Sequence, residues 1–161
     1  MRRYIILSIN IAILLCVYSC QTSQKKSDAS KAKKIVREFS EAMNRVDYDV
    51  FKKYLKEGAV WHYRGKTFEW TPDSENRVQS TWKRAFPDHE YRIELMFANR
   101  DTVTVLYTYT GTHTDTILGI PPTGNQIAVP EMVIFRLEDG LIAEQWVVFD
   151  EHLLRRQLNA D

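Results

Sequence analysis

The stretch QIAVPEMVIFRLEDGLIAEQWVVF, from Gln126 to Phe149, decides the architecture. Two apolar-rich runs, Gln126–Leu137 and Leu141–Phe149, flank the dipeptide Asp139-Gly140. A tight two-residue hairpin needs positive φ at its centre, which Gly adopts without a Cβ clash, so this segment reads as an antiparallel hairpin. Pro130 has no N–H to give a ladder, and an edge or a bulge is expected around it. In the second run both alternating rows are apolar. Ile142, Trp146 and Val148 occupy one, and Leu141, Val147 and Phe149 the other. A sheet with one face in water alternates more cleanly. One face is therefore expected to line the core and a cavity, and the other to pack on a homodimer mate.

Upstream of this hairpin the pattern continues. Thr102–His113 alternates Val103, Val105, Tyr107 and Tyr109 against mostly Thr, and Tyr91–Ala98 precedes it across a turn at Asn99–Asp101. These are strands of a meander. Further back the period lengthens. Ile35, Val36, Phe39, Ala42, Met43 and Val46 form one helical stripe over Ser30–Arg45, with Ser30 as its cap. A second helix is expected over Asp47–Lys56, ended by Gly58, then a strand over Val60–Phe68. A third helix lies within Asp73–Ala85 and stops at Phe86-Pro87-Asp88. Helices first and antiparallel strands after them make an α+β fold, with the helices on one face of a curved sheet.

The first 30 residues belong to something else. Arg2 and Arg3 precede an almost wholly apolar run from Tyr4 to Tyr18. That is the charged start and apolar core of a secretory signal, and it is short for a membrane-spanning helix. Val17-Tyr18-Ser19-Cys20 resembles a lipobox, which implies that Cys20 carries a diacylglyceryl group and becomes the new N-terminus. Residues 1–19 are then a signal peptide and 20–30 a polar tether spanning roughly 15–20 Å. Residues 31–161 are one domain. The expected location is the cell envelope, anchored to the inner or outer membrane, with the domain facing periplasm or exterior.

After Cys20 there is no cysteine, so the domain has no disulfide, thiolate metal site or catalytic thiol. The formal net charge of +1 gives no case for a nucleic-acid partner. No Gly-rich phosphate loop, His-Glu-x-x-His or Gly-x-Ser-x-Gly occurs.

Gly111-Thr112-His113, followed by Gly119-Ile120-Pro121-Pro122-Thr123-Gly124, resembles a stretch of the SnoaL-like polyketide cyclases, or ester cyclases. Phe86-Pro87-Asp88, Arg136 with Asp139-Gly140, Glu144-x-Trp146, Asp150 and Gln157-Leu158 match in order, so the similarity covers nearly all of Ala32–Leu158. Gln145 departs from the family, which often has His there. The resemblance implies a nuclear-transport-factor-two-like cone with a central pocket, and frequent dimers. It also implies ring closure by intramolecular aldol chemistry through acid–base catalysis, without cofactor or metal, and Asp150 matches the family's acid–base Asp.

The candidate residues each read two ways. Asp150 is a base made stronger by an apolar wall, or the cap of a following helix. Glu144 shares its strand face and joins the acid–base work, or pairs with Arg136 across the hairpin. His113 relays a proton, or is a structural ring bonded to the Pro121-Pro122 segment. Trp61, Trp82, Tyr107, Trp146 and Arg136 are the expected substrate-binding residues around a flat, mostly apolar ligand, against ordinary core packing for each aromatic. His62, His89 and His152 read as surface or structural. The expected function is a cofactor-free cyclase, isomerase or lyase acting on a small apolar carbonyl compound. The alternative is a non-catalytic, lipid-anchored binder of a small hydrophobic metabolite.

Overall fold

Residues 28–159 are described by a computed structural model. The expected signal peptide, Cys20 and most of the expected tether lie outside the described residues. Among those residues no helix is long and apolar enough to cross a membrane.

The chain begins with helix α1 (28–45) and helix α2 (Tyr48–Tyr54). Strands β1 (Leu55–Tyr63) and β2 (Lys66–Glu69) follow, then helix α3 (Pro72–Ala85). The meander is β3 (Glu90–Asn99), β4 (Thr102–Thr112), β5 (Gln126–Glu138) and β6 (Leu141–Phe149), and helix α4 (Glu151–Leu158) closes the described chain. All six strands form one curled, unclosed sheet in the order β2-β1-β6-β5-β4-β3. Every pairing is antiparallel except β1 with β6. The expected α+β class and the helix-covered sheet both hold.

The stripe of α1 buries Ala32, Val36, Phe39, Ala42 and Met43. Phe39 sits edge-on to Trp70 and Phe135 and tilts against Phe51. Full burial of each such side chain contributes about 1.5–3 kcal/mol. The inner rows of β4 and β5, Val103 to Tyr109 and Ile127 to Leu137, supply the opposing wall. Helix α3 has a strong start. Thr71 accepts from the Ser74 N–H, Ser74 returns the bond to the Thr71 N–H, and Pro72 opens the first turn.

Several local expectations are corrected. Ser30 lies inside α1 rather than capping it. Gly58 does not end a helix: α2 stops at Tyr54, and Gly58 takes its positive φ of 74° within β1, where the β1–β6 register shifts between Leu55 and Val60. The single strand expected over Val60–Phe68 is a hairpin, because Arg64 and Gly65 both adopt positive φ and reverse the chain. Pro130 sits one residue beyond Glu131, the last β5 residue paired with β6. That side of β5 is locally an edge, as a residue without an N–H requires.

The parity of β6 also changes. Leu137 opposes Ile142, but Arg136 opposes Glu144, so Ala143 is an extra residue in the ladder. A bulge of one residue exchanges the faces on either side of it. Ile142 therefore points inward together with Gln145, Val147 and Phe149, whereas Glu144, Trp146 and Val148 point outward. The bulge thus places Ile142 on the same face as Val147 and Phe149, while Trp146 and Val148 stay on the outer face.

Candidate functional site

Between α3, the β1–β2 hairpin and the inner faces of β4, β5 and β6 lies a cavity of about 250 Å³. Its wall is mainly aromatic: Trp61, Tyr63, Trp82, Tyr91, Tyr107, Tyr109 and Phe149 all line it. Tyr109 is packed between Trp82, Phe86, Tyr91 and Phe149. Tyr107 is anchored behind the wall, its hydroxyl 2.6 Å from that of Ser40 on α1.

Two carboxyl groups enter this apolar space. Glu75, in the first turn of α3, accepts from Trp70 Nε1–H at 2.6 Å and from the Gln79 amide at 2.8 Å. Burial raises its proton affinity, and those two donors offset part of the rise. Glu131 comes from β5, where it interrupts the inward row Ile127, Val129, Val133, Phe135 and Leu137. It is surrounded by protein, with part of its surface facing the cavity, and makes no hydrogen bond or ion pair to a described residue. Burial, and secondarily the nearby Glu75 charge, push its pKa up to about 8. It is thus poised to exchange a proton near neutral pH.

The rim is ionic. Arg64, in the β1–β2 turn, holds Glu151 at 2.8 Å, and Glu151 also accepts from Arg155 at 2.9 and 3.0 Å. Arg155 reaches the Leu118 carbonyl at 3.4 Å, so turn, α4 and the loop after β4 meet at one edge of the opening.

Of the residues named from sequence, Trp61, Trp82 and Tyr107 line this cavity. Trp146, Arg136, Glu144, His113 and Asp150 do not. The Ala143 bulge turns Glu144 and Trp146 to the outer face. There Glu144 accepts from Arg136 at 2.7 Å and lies 2.7 Å from His62 Nε2, while Trp146 stacks on His62. Arg136 also pairs with Glu138, so the cross-hairpin ion pair is the geometry adopted. His113 is fully buried, and its Nδ1 accepts the Thr123 N–H at 3.2 Å and lies 3.0 Å from Thr123 Oγ1. Its ring ties down the loop after Pro121-Pro122. Asp150 is exposed and caps α4, accepting the Leu153 N–H at 2.8 Å. The expected projection of Asp150 into the pocket is corrected, because one outward parity carries the whole Glu144-to-Asp150 row.

Glu131, Glu75 and Gln79 were missed. The signal was present: a lone carboxylate in an inward apolar strand row, and a Glu–Gln pair at i, i+4 on the stripe of Val78 and Trp82. Gln145, the departure from the family pattern, lies on the cavity wall. Among the described residues no three His, Cys, Asp or Glu side chains converge as a metal site.

The model of the SnoaL-like polyketide cyclases matches residues 33–158. The chain belongs to this family. No curated protein matches the SnoaL-like chain significantly. Many solved structures share its fold. AclR from Streptomyces galilaeus, assigned as a hydroxylase, is similar at 24% identity over 81% of this chain and 82% of its own, with a TM-score of 0.73. A protein of Jannaschia sp. CCS1 assigned as a SnoaL-like polyketide cyclase is 21% identical over 83% and 95%, with a TM-score of 0.75. TsrD from Streptomyces laurentii is 25% identical over 83% and 98%, with a TM-score of 0.74. The cone-shaped fold expected from the sequence motifs is thus shared with these structures.

Proposed function

We propose that the SnoaL-like domain is an acid–base enzyme acting on a small apolar carbonyl compound, with Glu131 as its proton-transferring group. One observation carries this: an unpaired carboxyl group stands on the wall of an aromatic cavity. Such a group loses solvation, holds its proton to unusually high pH and meets a bound ligand without competing partners. As a carboxylate it removes a proton from the carbon next to a ligand carbonyl. The C–H electron pair forms a carbon–carbon double bond and the carbonyl π pair moves onto oxygen, giving an enolate. The enolate carbon then attacks a second carbonyl of the same molecule, closing a ring as the first carbonyl re-forms, and the new alkoxide takes the proton back from Glu131.

The test is α-proton exchange of a small cyclic ketone in heavy water, followed by NMR. Exchange is expected to rise with pH through a midpoint near 8 and level off above it, because only the ionised Glu131 is a base. Glu131→Gln should lower the rate at least 100-fold. Unchanged exchange in that variant would remove Glu131 from the chemistry.

The binder reading keeps one specific support: Asp150, the match to the family's acid–base Asp, lies outside the cavity. A ligand held tightly with no exchange under any condition would decide for it.

The envelope anchor remains part of the proposal through Cys20. Metabolic labelling with a fatty acid should mark the wild-type chain and not Cys20→Ala. We also propose a homodimer. Leu95, Leu106, Met132 and Val148 stand opposite one another on four adjacent strands, and all but Leu106 are well exposed. One contiguous apolar ladder on the outer face suits a second copy of the same ladder.

A further inference from the structure

We infer that the cavity takes an uncharged ligand of about two rings that carries a hydrogen-bond acceptor and a separate hydrogen-bond donor, read by Trp61, Gln79 and Tyr109. The inference concerns the ligand of the site proposed above and rests on that cavity being the binding site.

Three buried polar atoms on the cavity wall have no hydrogen-bond partner among the described residues: Trp61 Nε1, Gln79 Oε1 and the Tyr109 hydroxyl. Gln79 and Tyr109 are 5% and 1% exposed. A buried polar group left unpaired costs roughly 1–3 kcal/mol, so a ligand that pairs these three gains that much at each. Their chemistry is directional. An indole N–H only donates, so the ligand must present an acceptor there. The Gln79 carbonyl oxygen only accepts, so the ligand must present an O–H or N–H to it. The Tyr109 hydroxyl serves either. A hydrocarbon satisfies none of them, and an ammonium ion has nothing to offer Trp61.

Charge narrows the class further. An anion would find no free cation among the described lining residues, since Arg64 is already paired with Glu151 at the rim. Size sets the remaining limit. A cavity of about 150 Å³ accepts one benzene ring. At about 250 Å³ this one accepts roughly two fused rings with their substituents, and four fused rings would leave part of the ligand outside the opening.

The experiment is calorimetric titration of the full-length protein with a set of bicyclic probes. A hydroxytetralone carries both groups, tetralone lacks the hydroxyl and hydroxytetralin lacks the carbonyl. Naphthoate and naphthylmethylammonium supply the two charges, and a hydroxytetracenequinone supplies four rings. The hydroxytetralone should bind tightest, and loss of either oxygen should weaken binding about tenfold. Trp61→Phe should weaken the two ketones about tenfold and leave hydroxytetralin unchanged. Tyr109→Phe, which keeps the ring contacts, should weaken the hydroxytetralone and serves if the Trp61 variant folds poorly. Equal or tighter binding of either ion or of the four-ring probe would overturn the inference, as would a uniform effect of Trp61→Phe on all probes. Selective binding without α-proton exchange would retire the catalytic reading and leave this one standing. Exchange without the selectivity would do the reverse.

Discussion

Glu131 holds its proton to about pH 8, whereas in the unfolded chain it releases it near its ordinary value of 4.5. Between those values the native state binds more protons, so stability falls as pH rises, by an amount on the order of a few kcal/mol. The contribution is intact below pH 4.5 and lost by about pH 8. Thermal melts of the wild type should therefore show a declining Tm across this window, and Glu131→Gln should flatten the decline. A parallel decline in both proteins would mean that Glu131 is well solvated. Reading the position from sequence was within reach, since a carboxylate among Val129, Val133 and Phe135 has no bland place in an inward row. The motif match to Asp150 drew attention to the strand end instead. A single sequence does not tell which parity of a bulged strand faces the helices.

At the scale of elements, the cap and the close approach carry the predictions. Asp150 satisfies the Leu153 N–H at the start of α4, so Asp150→Ala should cost about 1 kcal/mol of stability in denaturant unfolding. Probe binding should not change, because the side chain lies outside the cavity. Gly111 in β4 faces Phe86, and a Cβ there would come within 2.8 Å of the Phe86 Cβ. Gly111→Ala should therefore destabilise by roughly 1–3 kcal/mol through overpacking, measured the same way. Strand positions from Glu90 to Phe149 were readable because the two-residue period and the positive-φ turn residues are local. The Arg64-Gly65 reversal was not, since Arg has no preference for positive φ and only sheet pairing reveals the turn. The role of Gly58 was likewise ambiguous, because helix ends and strand bulges both employ a residue with left-handed backbone.

Across the whole molecule, helices followed by a meander led directly to an α+β sheet with a covered face. The sequence motifs supplied the cone and pocket that periodicity alone could not. The uncovered face is the remaining question. Phe97 is 64% exposed and lies on the same outward row as Leu95. Light scattering should report a dimer mass for the wild type, and Phe97→Lys should shift the population toward monomer with little change in Tm. A monomeric wild type at micromolar concentration would leave the apolar ladder without its proposed occupant.

The parallel pairing of β1 with β6 governs how the chain assembles itself. Val60 meets Glu144, 144 − 60 = 84 positions later, whereas β5 and β6 are joined by a two-residue connection. Nearby segments zip quickly, while distant ones must wait for a costly loop to close. During synthesis the amino-terminal third has no seat in the sheet until the final strand has emerged. Its greasy side stays uncovered for most of that time, and those amides of Val60 to Tyr63 that bond to β6 rather than to the adjoining β2 should be among the last to gain protection in pulsed hydrogen exchange.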